Sequence, residues 1–503
     1  MSSRRFMLYD TLSRTTKPLE TREPGHLRFY SCGPTVYSYA HIGNFRTFLT
    51  ADLVVRTAEA LGWRVSYVSN ITDVGHLTQD DMADAGGEDK MVKALKSKEG
   101  EAFANIWDLA RYYGDAFVAD WRKLNLREPM VRPRATEHMR EQILAIEELI
   151  RDGYAYETPT GVYFAIERFE EYGKLSGNRD RDNLMRAVRD VVQDENKRHP
   201  ADFALWKKDD KHLMQWFSPW GWGFPGWHIE CSVMARQYLG DTIDLHGGGE
   251  DLKFPHHECE IAQSEAATGE PFCNHWLHVT FLQVEGEKMS KSKGNFYTVR
   301  DLVDRDGYDP LALRYALMSV PYTKPLNFTL QTLRDASGNV ERFRECERRI
   351  AAAGVDPLAE RFAGVGAEIA DAELARVADE ALDALCDDLN TSVAIAKALE
   401  GTKIILREPK LDPAFARSAA AFLGRVNALL GIVRHEDEVA AAAKPSAGGV
   451  DVARVQALID ERAAAKKNRD FARADAIRNQ LAEEGIELRD SPEGTTWVRR
   501  VPV

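Results

Sequence analysis

LRFYSCGPTVYSYAHIGN (27–44), continued by FRTFLTADLVVRTAEALG (45–62) and WRVSYVSNIT (63–72), decides the architecture. LRFYSCG (27–33) is a short strand-like run, and the loop PTVYSYAHIG follows it. From Asn44 to Leu61 the apolar residues Phe45, Phe48, Leu49, Leu53, Val54, Ala58 and Leu61 recur at helical spacing, and Gly62 is placed to end the helix. WRVSYVSNIT is β-branched and aromatic with period-two alternation, which predicts a second strand. A strand–helix–strand unit implies a parallel sheet, whose ligands bind beyond the carboxyl ends of its strands. Cys32 and the Asn70–Asp73 stretch are thereby brought to one crevice.

Working outward, residues 80–127 read as largely helical, with a charged, mobile AGGEDK stretch (85–90) near the start. From 128 to 225 the composition shifts to strands such as GVYFAIE (161–167), a charged stretch around 178–200 and five tryptophans between Trp206 and Trp227. That pattern predicts a domain inserted into the nucleotide-binding fold. Sheet signals return with TIDLHGGG (242–249) and WLHVTFLQV (276–284). The fold class expected is α/β: a Rossmann-like parallel-sheet domain (1–127 and 226–308) with an inserted connective domain (128–225). A linking region (309–335), an Ala-, Leu- and Arg-rich helical bundle (336–435) and a linker (436–450) follow. Residues 451–503 read as a small α+β unit, its helix broken near Ala465–Asn468 and its last residues, IELRD–SPEG–TTWVRR, a hairpin.

The 503 residues are 44% hydrophobic and 29% charged, which excludes wholesale disorder and predicts two to four domains. A net charge of −13 argues against indiscriminate coating of nucleic acid or anionic membrane. Six cysteines without a C-x-x-C pair are too few and too scattered for a disulfide framework. MSSRRFMLYD lacks an apolar signal core and no run is long enough to cross a bilayer, so a cytoplasmic location is expected.

Two motifs point to phosphate chemistry. His41-Ile42-Gly43-Asn44 stands at the start of the first helix, where backbone N–H groups and the dipole favour an anion. Gly43 permits close backbone approach, and His41 can donate to phosphoryl oxygens. Alone, such a stretch reads as a turn. Lys288-Met289-Ser290-Lys291-Ser292 sets two ammonium groups and two hydroxyls on a short loop that can follow a triphosphate as charge moves to the leaving pyrophosphate. A third signal lies nearby: His256 and Glu260 are i, i+4 and share a helical face, and with Cys32 and Cys231 they make a Cys₂HisGlu set of zinc-compatible types. In isolation each part reads as core packing or a surface contact.

The HIGN and KMSKS pair resembles the signatures of class I aminoacyl-tRNA synthetases, with Asn44 where the general motif has a second histidine. FYSCGPTVYSYAHIGN, SNITDVG, PGWHIECS, HGGGEDLKFPHHECEIAQ, KMSKSKGNF and DFARADAIRNQLAEEGIELRDSPEGTTW are similar to the cysteinyl-tRNA synthetase family over nearly the whole chain. The resemblance implies ATP, with magnesium, as a substrate handled by His41, Gly43, Asn44, Lys288, Ser290, Lys291 and Ser292, Lys291 contacting the phosphates in the transition state. Gly247, Gly248 and Gly249 would let backbone approach the adenosine. It implies one zinc ion on Cys32, Cys231, His256 and Glu260, with the thiolate of L-cysteine as a further ligand. Gly33, Thr72, Trp227 and Asp251 would line the cysteine pocket, Asp251 accepting from the ammonium group. Cys259, where the family carries Asn, is a rival ligand to Glu260; His257 is expected to face ATP or the surface.

The resemblance further implies tRNA(Cys) as partner, a monomer, and anticodon recognition by the bundle and the C-terminal unit. Residues 451–503 carry ten basic and ten acidic side chains, so the acidic excess lies elsewhere. Within 454–478, Arg454, Arg462, Lys466, Lys467, Arg469, Arg473 and Arg478 outnumber Asp460, Glu461, Asp470 and Asp475. Trp497 would stack on a splayed base or cap the small core. One rival shares the active-site chemistry, a cysteine ligase of mycothiol synthesis, whose kind lacks the full anticodon-reading region; a second, of another class, is a non-catalytic cysteine- or tRNA-binding paralogue, which would be expected to lose the intact KMSKS.

Overall fold

A computed structural model gives the fold and describes residues 4–75, 77, 87–178, 194–290, 294–435, 452–467, 470–483, 486–491 and 494–499. Residues 1–440 form one compact unit and 441–503 another. The nucleus of the first is a parallel sheet of β1 (His26–Ser31), β2 (Arg64–Ser69), β3 (Leu245–Gly249) and β4 (Trp276–Val279), in the order β4–β3–β1–β2. Helix α1 (Ile42–Ala60) makes the crossover between β1 and β2. It begins two residues before the predicted Asn44, because His41 and Asn44 close a capping box ahead of the apolar run. Leu61 caps its end and Gly62 takes the positive φ of +80° that the turn into β2 needs. Before β3 lies α2 (Ile229–Leu239), and α3 (His256–Thr268) joins β3 to β4.

The stretch 80–127 is less helical than its composition suggests. Its described part holds Lys90–Leu95 and Ile106–Lys123, separated by a turn in which a side chain at Gly100 would collide with the carbonyls of Ala94 and Leu95. Of the AGGEDK stretch only residues 87–90 are described, and there Asp89 is buried and caps the helix Lys90–Leu95. Residues 155–225 supply a separate five-stranded antiparallel sheet, ordered Ala155–Glu157, Gly161–Phe164, Phe203–Lys208, Gly221–Pro225, Trp216–Ser218. Residues 179–193, most of the charged stretch, lie outside the described residues. The last strand delivers the chain to Trp227 and the start of α2.

After β4 come a small sheet (Leu282–Val284, Glu287–Lys288, Leu326–Phe328) and the helix Pro310–Leu317. Four helices follow: Leu330–Ala352, Ala372–Cys386, Thr391–Arg407 and Pro413–Leu430. Thr329, Asp371, Asn390 and Asp412 cap them, each accepting from a first-turn N–H. Between α1 and this region lies a buried charge cluster. Asp52 accepts from Arg56 Nε (2.8 Å), Arg314 and the Arg127 N–H (2.6 Å), while the remaining guanidinium donors reach carbonyls of Leu124, Asn125, Asn427, Ala428 and Leu430. Burial pushes the Asp52 carboxyl up, but Arg314 and Arg56 outweigh it and hold it at about 2.

In the second unit, helices Val452–Lys467 and Phe471–Glu483 pack on a hairpin of Ile486–Ser491 and Gly494–Arg499 around Ile459, Ile477 and Leu481. The helix break expected near Ala465–Asn468 is there: one helix ends at Lys467 and the next begins at Phe471. The predicted basic face is only partly a face. Arg462 is buried and Arg473 pairs with Glu461 at 2.8 Å, while Lys466 and Arg478 are exposed. The side chains of Arg454, Lys467, Arg469 and Trp497, and the linker 436–450, lie outside what is described.

Candidate functional site

The carboxyl ends of β1, β2 and β3 lie side by side, and α1 packs beside them. His41 Nδ1 accepts from the Asn44 N–H (3.2 Å) and Asn44 Oδ1 accepts from the His41 N–H (3.1 Å). With Nδ1 accepting, the ring proton of His41 is on Nε2, and with Oδ1 accepting, Asn44 keeps its amide Nδ2 as donor. The second motif meets the first: Ile42 N–H donates to the Tyr297 carbonyl (3.0 Å), and a side chain at Gly43 would stand 2.8 Å from Met289 Cε. Lys288 is exposed and Ser290 N–H donates to Asn295 Oδ1 (2.8 Å). Lys291 and Ser292 lie outside the described residues. One residue that the motifs do not reveal ties this corner together. Arg46, 2% exposed, donates to the carbonyls of Thr280, Phe281, Pro321 and Lys324, and burial lowers its pKa to about 10.

The floor of the crevice holds the sulfur atoms. Cys32 follows β1, Cys231 is in the first turn of α2, and His256 and Glu260 lie one turn apart on α3. All four are buried, and their ligand atoms lie within 4.8 Å of one another. Cys32 Sγ is 3.8 Å from Cys231 Sγ and 3.5 Å from Glu260 Oε1, and that oxygen is 3.0 Å from His256 Nε2. A hydrogen bond from Cys32 lowers Cys231 to about 6, the largest influence on it. Burial opposes charge on His256, but Glu260 and Cys231 lift the ring to about 10. Burial likewise opposes ionisation of Glu260, but His246 and His256 hold its carboxyl well below the usual range. A buried set of two thiols, an imidazole and a carboxylate has the donor chemistry for a metal ion.

A second set shares two of these residues: Cys32, His246, His257 and Glu260 also lie within 4.8 Å. His257 thus departs from the alternative that it faces the surface. It is fully buried, its Nε2 is 3.3 Å from Cys32 Sγ, and its Nδ1 is 2.8 Å from His278 Nε2. The helical spacing explains why: one residue beyond His256, it swings toward the sheet, where Trp276 and His246 pack on it. Cys259 turns away from the cluster to Tyr172 Oη (3.5 Å) and belongs to neither ligand set.

Thr72 and Trp227 are buried in the wall beside the cluster, the Trp227 ring 4.3 Å from that of His256. Gly33 N–H donates to Asn70 Oδ1 (2.8 Å), and a side chain there would fall on the Asn70 carbonyl. Asp251 is exposed in the turn after β3, its carboxylate beside Gly249. The glycine run has a packing reason as well. A side chain at Gly247 would press on Phe29 (3.2 Å), and one at Gly248 on His257 (2.7 Å). Asn70 and Glu230 carry no assigned role in the motif reading, although both stand inside quoted segments. Both are fully buried, and burial raises the Glu230 carboxyl well above its ordinary value.

The fold and the paired motifs define a class I aminoacyl-tRNA synthetase. Residues 18–338 match the family model described as the tRNA synthetases class I (C) catalytic domain, and residues 452–497 match the Cysteinyl-tRNA ligase anticodon binding domain. The chain is 55% identical to the cysteine–tRNA ligase of Salinibacter ruber, over 100% of both chains. It is 41% identical to that of Chlorobaculum tepidum, over 98% of this chain and 99% of the relative. This chain belongs to the cysteine–tRNA ligase family. Solved structures share the fold at low identity. The Mycobacterium tuberculosis methionyl-tRNA synthetase bound to methionyl-adenylate has a TM-score of 0.54 at 15% identity, over 81% of this chain and 92% of its own. The LeuRS–tRNA–LeuAMS complex of Agrobacterium radiobacter has a TM-score of 0.59 at 10%, over 85% and 86%. No described helix is long and apolar enough to cross a membrane.

Proposed function

We propose that the chain joins L-cysteine to the 3′ end of tRNA(Cys) through a cysteinyl-adenylate, and that a zinc ion on Cys32, Cys231, His256 and Glu260 selects the amino acid. The observation that carries this reading is the convergence of those four buried ligand atoms, within 4.8 Å, at the carboxyl end of a parallel sheet. Zinc bound there supplies a soft Lewis acid that favours a thiolate over the hydroxyl of serine. Pocket shape alone separates such near-isosteres only ~10²-fold. Thr72 and Trp227 line the cysteine pocket from its buried wall, with Gly33 above the cluster and Asp251 on the exposed rim.

The substrate carboxylate attacks the α-phosphorus of ATP, bound with magnesium, and pyrophosphate leaves. His41 Nε2, Asn44 Nδ2 and the N–H groups at the start of α1 receive the phosphates, with Gly43 leaving room for them. Lys288, Ser290, Lys291 and Ser292 follow the charge onto pyrophosphate, and Gly247, Gly248 and Gly249 border the adenosine. A ribose hydroxyl of the terminal adenosine then attacks the adenylate, so no protein nucleophile is needed; positioning and charge stabilisation carry the rate. Residues 309–335 contact the tRNA stem, and the bundle (336–435) and C-terminal unit (451–503) recognise the anticodon. The enzyme acts as a cytoplasmic monomer.

Cysteine-dependent ATP–pyrophosphate exchange, compared with serine before and after chelation, tests the selector. Exchange with cysteine that disappears on zinc removal and returns on readdition is expected; equal exchange with both amino acids would sink the proposal. Charging by a truncation ending near residue 435 should lose efficiency, and unchanged efficiency would remove the C-terminal unit from anticodon reading.

A further inference from the structure

A buried polar chain joins the three segments that bring the two cysteines together. Gly33, next to Cys32, donates its N–H to Asn70 Oδ1 (2.8 Å). Asn70 Nδ2 donates to Thr72 Oγ1 (3.1 Å), and Thr72 Oγ1 donates to Glu230 Oε2 (2.9 Å), one residue before Cys231. Asn70 and Glu230 are 0% exposed and Thr72 2%.

The polarity of this chain is fixed from one end. A backbone N–H can only donate, so the Asn70 oxygen must face Gly33 and its NH₂ must face Thr72. The threonine hydroxyl then spends one lone pair on Asn70 and its single hydrogen on Glu230 Oε2, which accepts as a carboxylate and equally as an acid whose proton sits on the unpartnered Oε1. Its backbone is equally held: Thr72 N–H donates to the Pro34 carbonyl (3.1 Å) and the Thr72 carbonyl accepts from Val36 N–H (3.1 Å). What remains on Oγ1 is one lone pair and no donor.

We propose that Asn70 and Glu230 are positioning residues that make Thr72 an obligate hydrogen-bond acceptor for the ammonium group of the amino-acid substrate. This rests on the cysteine-site reading above. An ammonium can use the remaining lone pair, whereas a ligand that presents only acceptors there cannot. Without Glu230 the hydroxyl hydrogen would be released and could turn to the ligand, so the site would lose the part of its preference for an amine that Thr72 supplies beside Asp251. Neither residue need touch the substrate, because both act through the threonine.

The test uses full-length protein with cobalt in place of zinc and reads the thiolate-to-cobalt charge-transfer band. The probes are cysteamine, which has an ammonium and no carboxylate, and 3-mercaptopropionate, which has the reverse. Unsubstituted protein should bind cysteamine at least about tenfold more tightly, the worth of one charge-assisted hydrogen bond. Thr72→Val, nearly isosteric, and Glu230→Met should each erase about tenfold of that preference at full cobalt loading. Glu230→Gln, which keeps an oxygen for the threonine hydrogen, should retain it. Retention in Thr72→Val overturns the proposal. So does loss in Glu230→Gln as complete as in Thr72→Val, since Glu230 would then act on the ammonium by its charge. If neither thiol raises a thiolate band in unsubstituted protein, the metal–thiolate reading itself fails and takes this inference with it.

Discussion

Two buried polar clusters lie on α1 and at the ends of the strands beside it, and they are built on opposite principles. Around Asp52, Arg56 and Arg314, opposite charges meet and the donors left over are spent on carbonyls. Around Cys32, Cys231, His256 and Glu260, thiols, imidazoles and a carboxylate crowd together, and atoms nearby are left over. Glu230 Oε1 and His246 Nδ1 are buried with no hydrogen-bond partner among the described residues. A buried polar group without a partner costs roughly 1–3 kcal/mol. The first cluster pairs its charges as folded; the second, on the proposed reading, would be completed by the metal ion and the amino acid it holds.

The contrast is sharpest at Asp52. Asp52→Ala would leave two guanidiniums buried without their anion, and a loss of about 3–5 kcal/mol in urea unfolding is expected, with cysteine activation per folded molecule unchanged. Loss of activation at unchanged stability would break the comparison. The pH dependence follows from the same carboxylate, held at about 2 against an ordinary 3.8. A depressed pKa stabilises above the unfolded value and is lost as pH falls through the folded one. The stability gap between the unsubstituted protein and Asp52→Asn should therefore be full above pH 3.8 and close toward about pH 2.

Cys231→Ser tests the other cluster. Cysteine-dependent pyrophosphate exchange should fall at least about a hundredfold, together with the bound zinc measured by atomic absorption, because a metal ligand matters more than the residues that orient it. Full activity with full metal would remove Cys231 from the ligand set in favour of His246 and His257. A smaller effect is expected at Arg46, whose planar fork spans four carbonyls that a lysine ammonium cannot span. Arg46→Lys should cost about 2 kcal/mol and raise KM for ATP severalfold more than KM for cysteine. Least of all, Asn44→Ala opens the capping box at a cost of about 1 kcal/mol in stability, and equilibrium unfolding resolves it from the accompanying loss in ATP-dependent exchange.

The legibility of these features in the sequence follows the range of the interactions that make them. The crossover from β1 through α1 to β2, the helix stop at Gly62 and the C-terminal hairpin rest on periodicity and turn chemistry over a few residues, and they stand where the pattern puts them. The turn at Gly100 escapes a compositional reading because Ser97, Lys98 and Glu99 around it favour helix as readily as loop. The surface alternative for His257 fails for another reason. A charged-looking HHECE run gives no sign that both histidines will be enclosed, one by Trp227 and one by Trp276. Arg462 reads as part of a basic face, and only the folded unit shows it buried.

By itself, then, the sequence determined the parallel-sheet class, the HIGN and KMSKS motifs and the residue types of the sulfur cluster, since each is carried by local pattern or by a short motif. Tertiary structure alone decided which buried groups are satisfied. The Asp52–Arg314 pair joins positions 262 residues apart, and Thr72–Glu230 joins positions 158 apart. Hydrogen-bond polarity is settled only when donors and acceptors from distant segments are brought within 3 Å of each other, and no periodicity along the chain encodes that meeting.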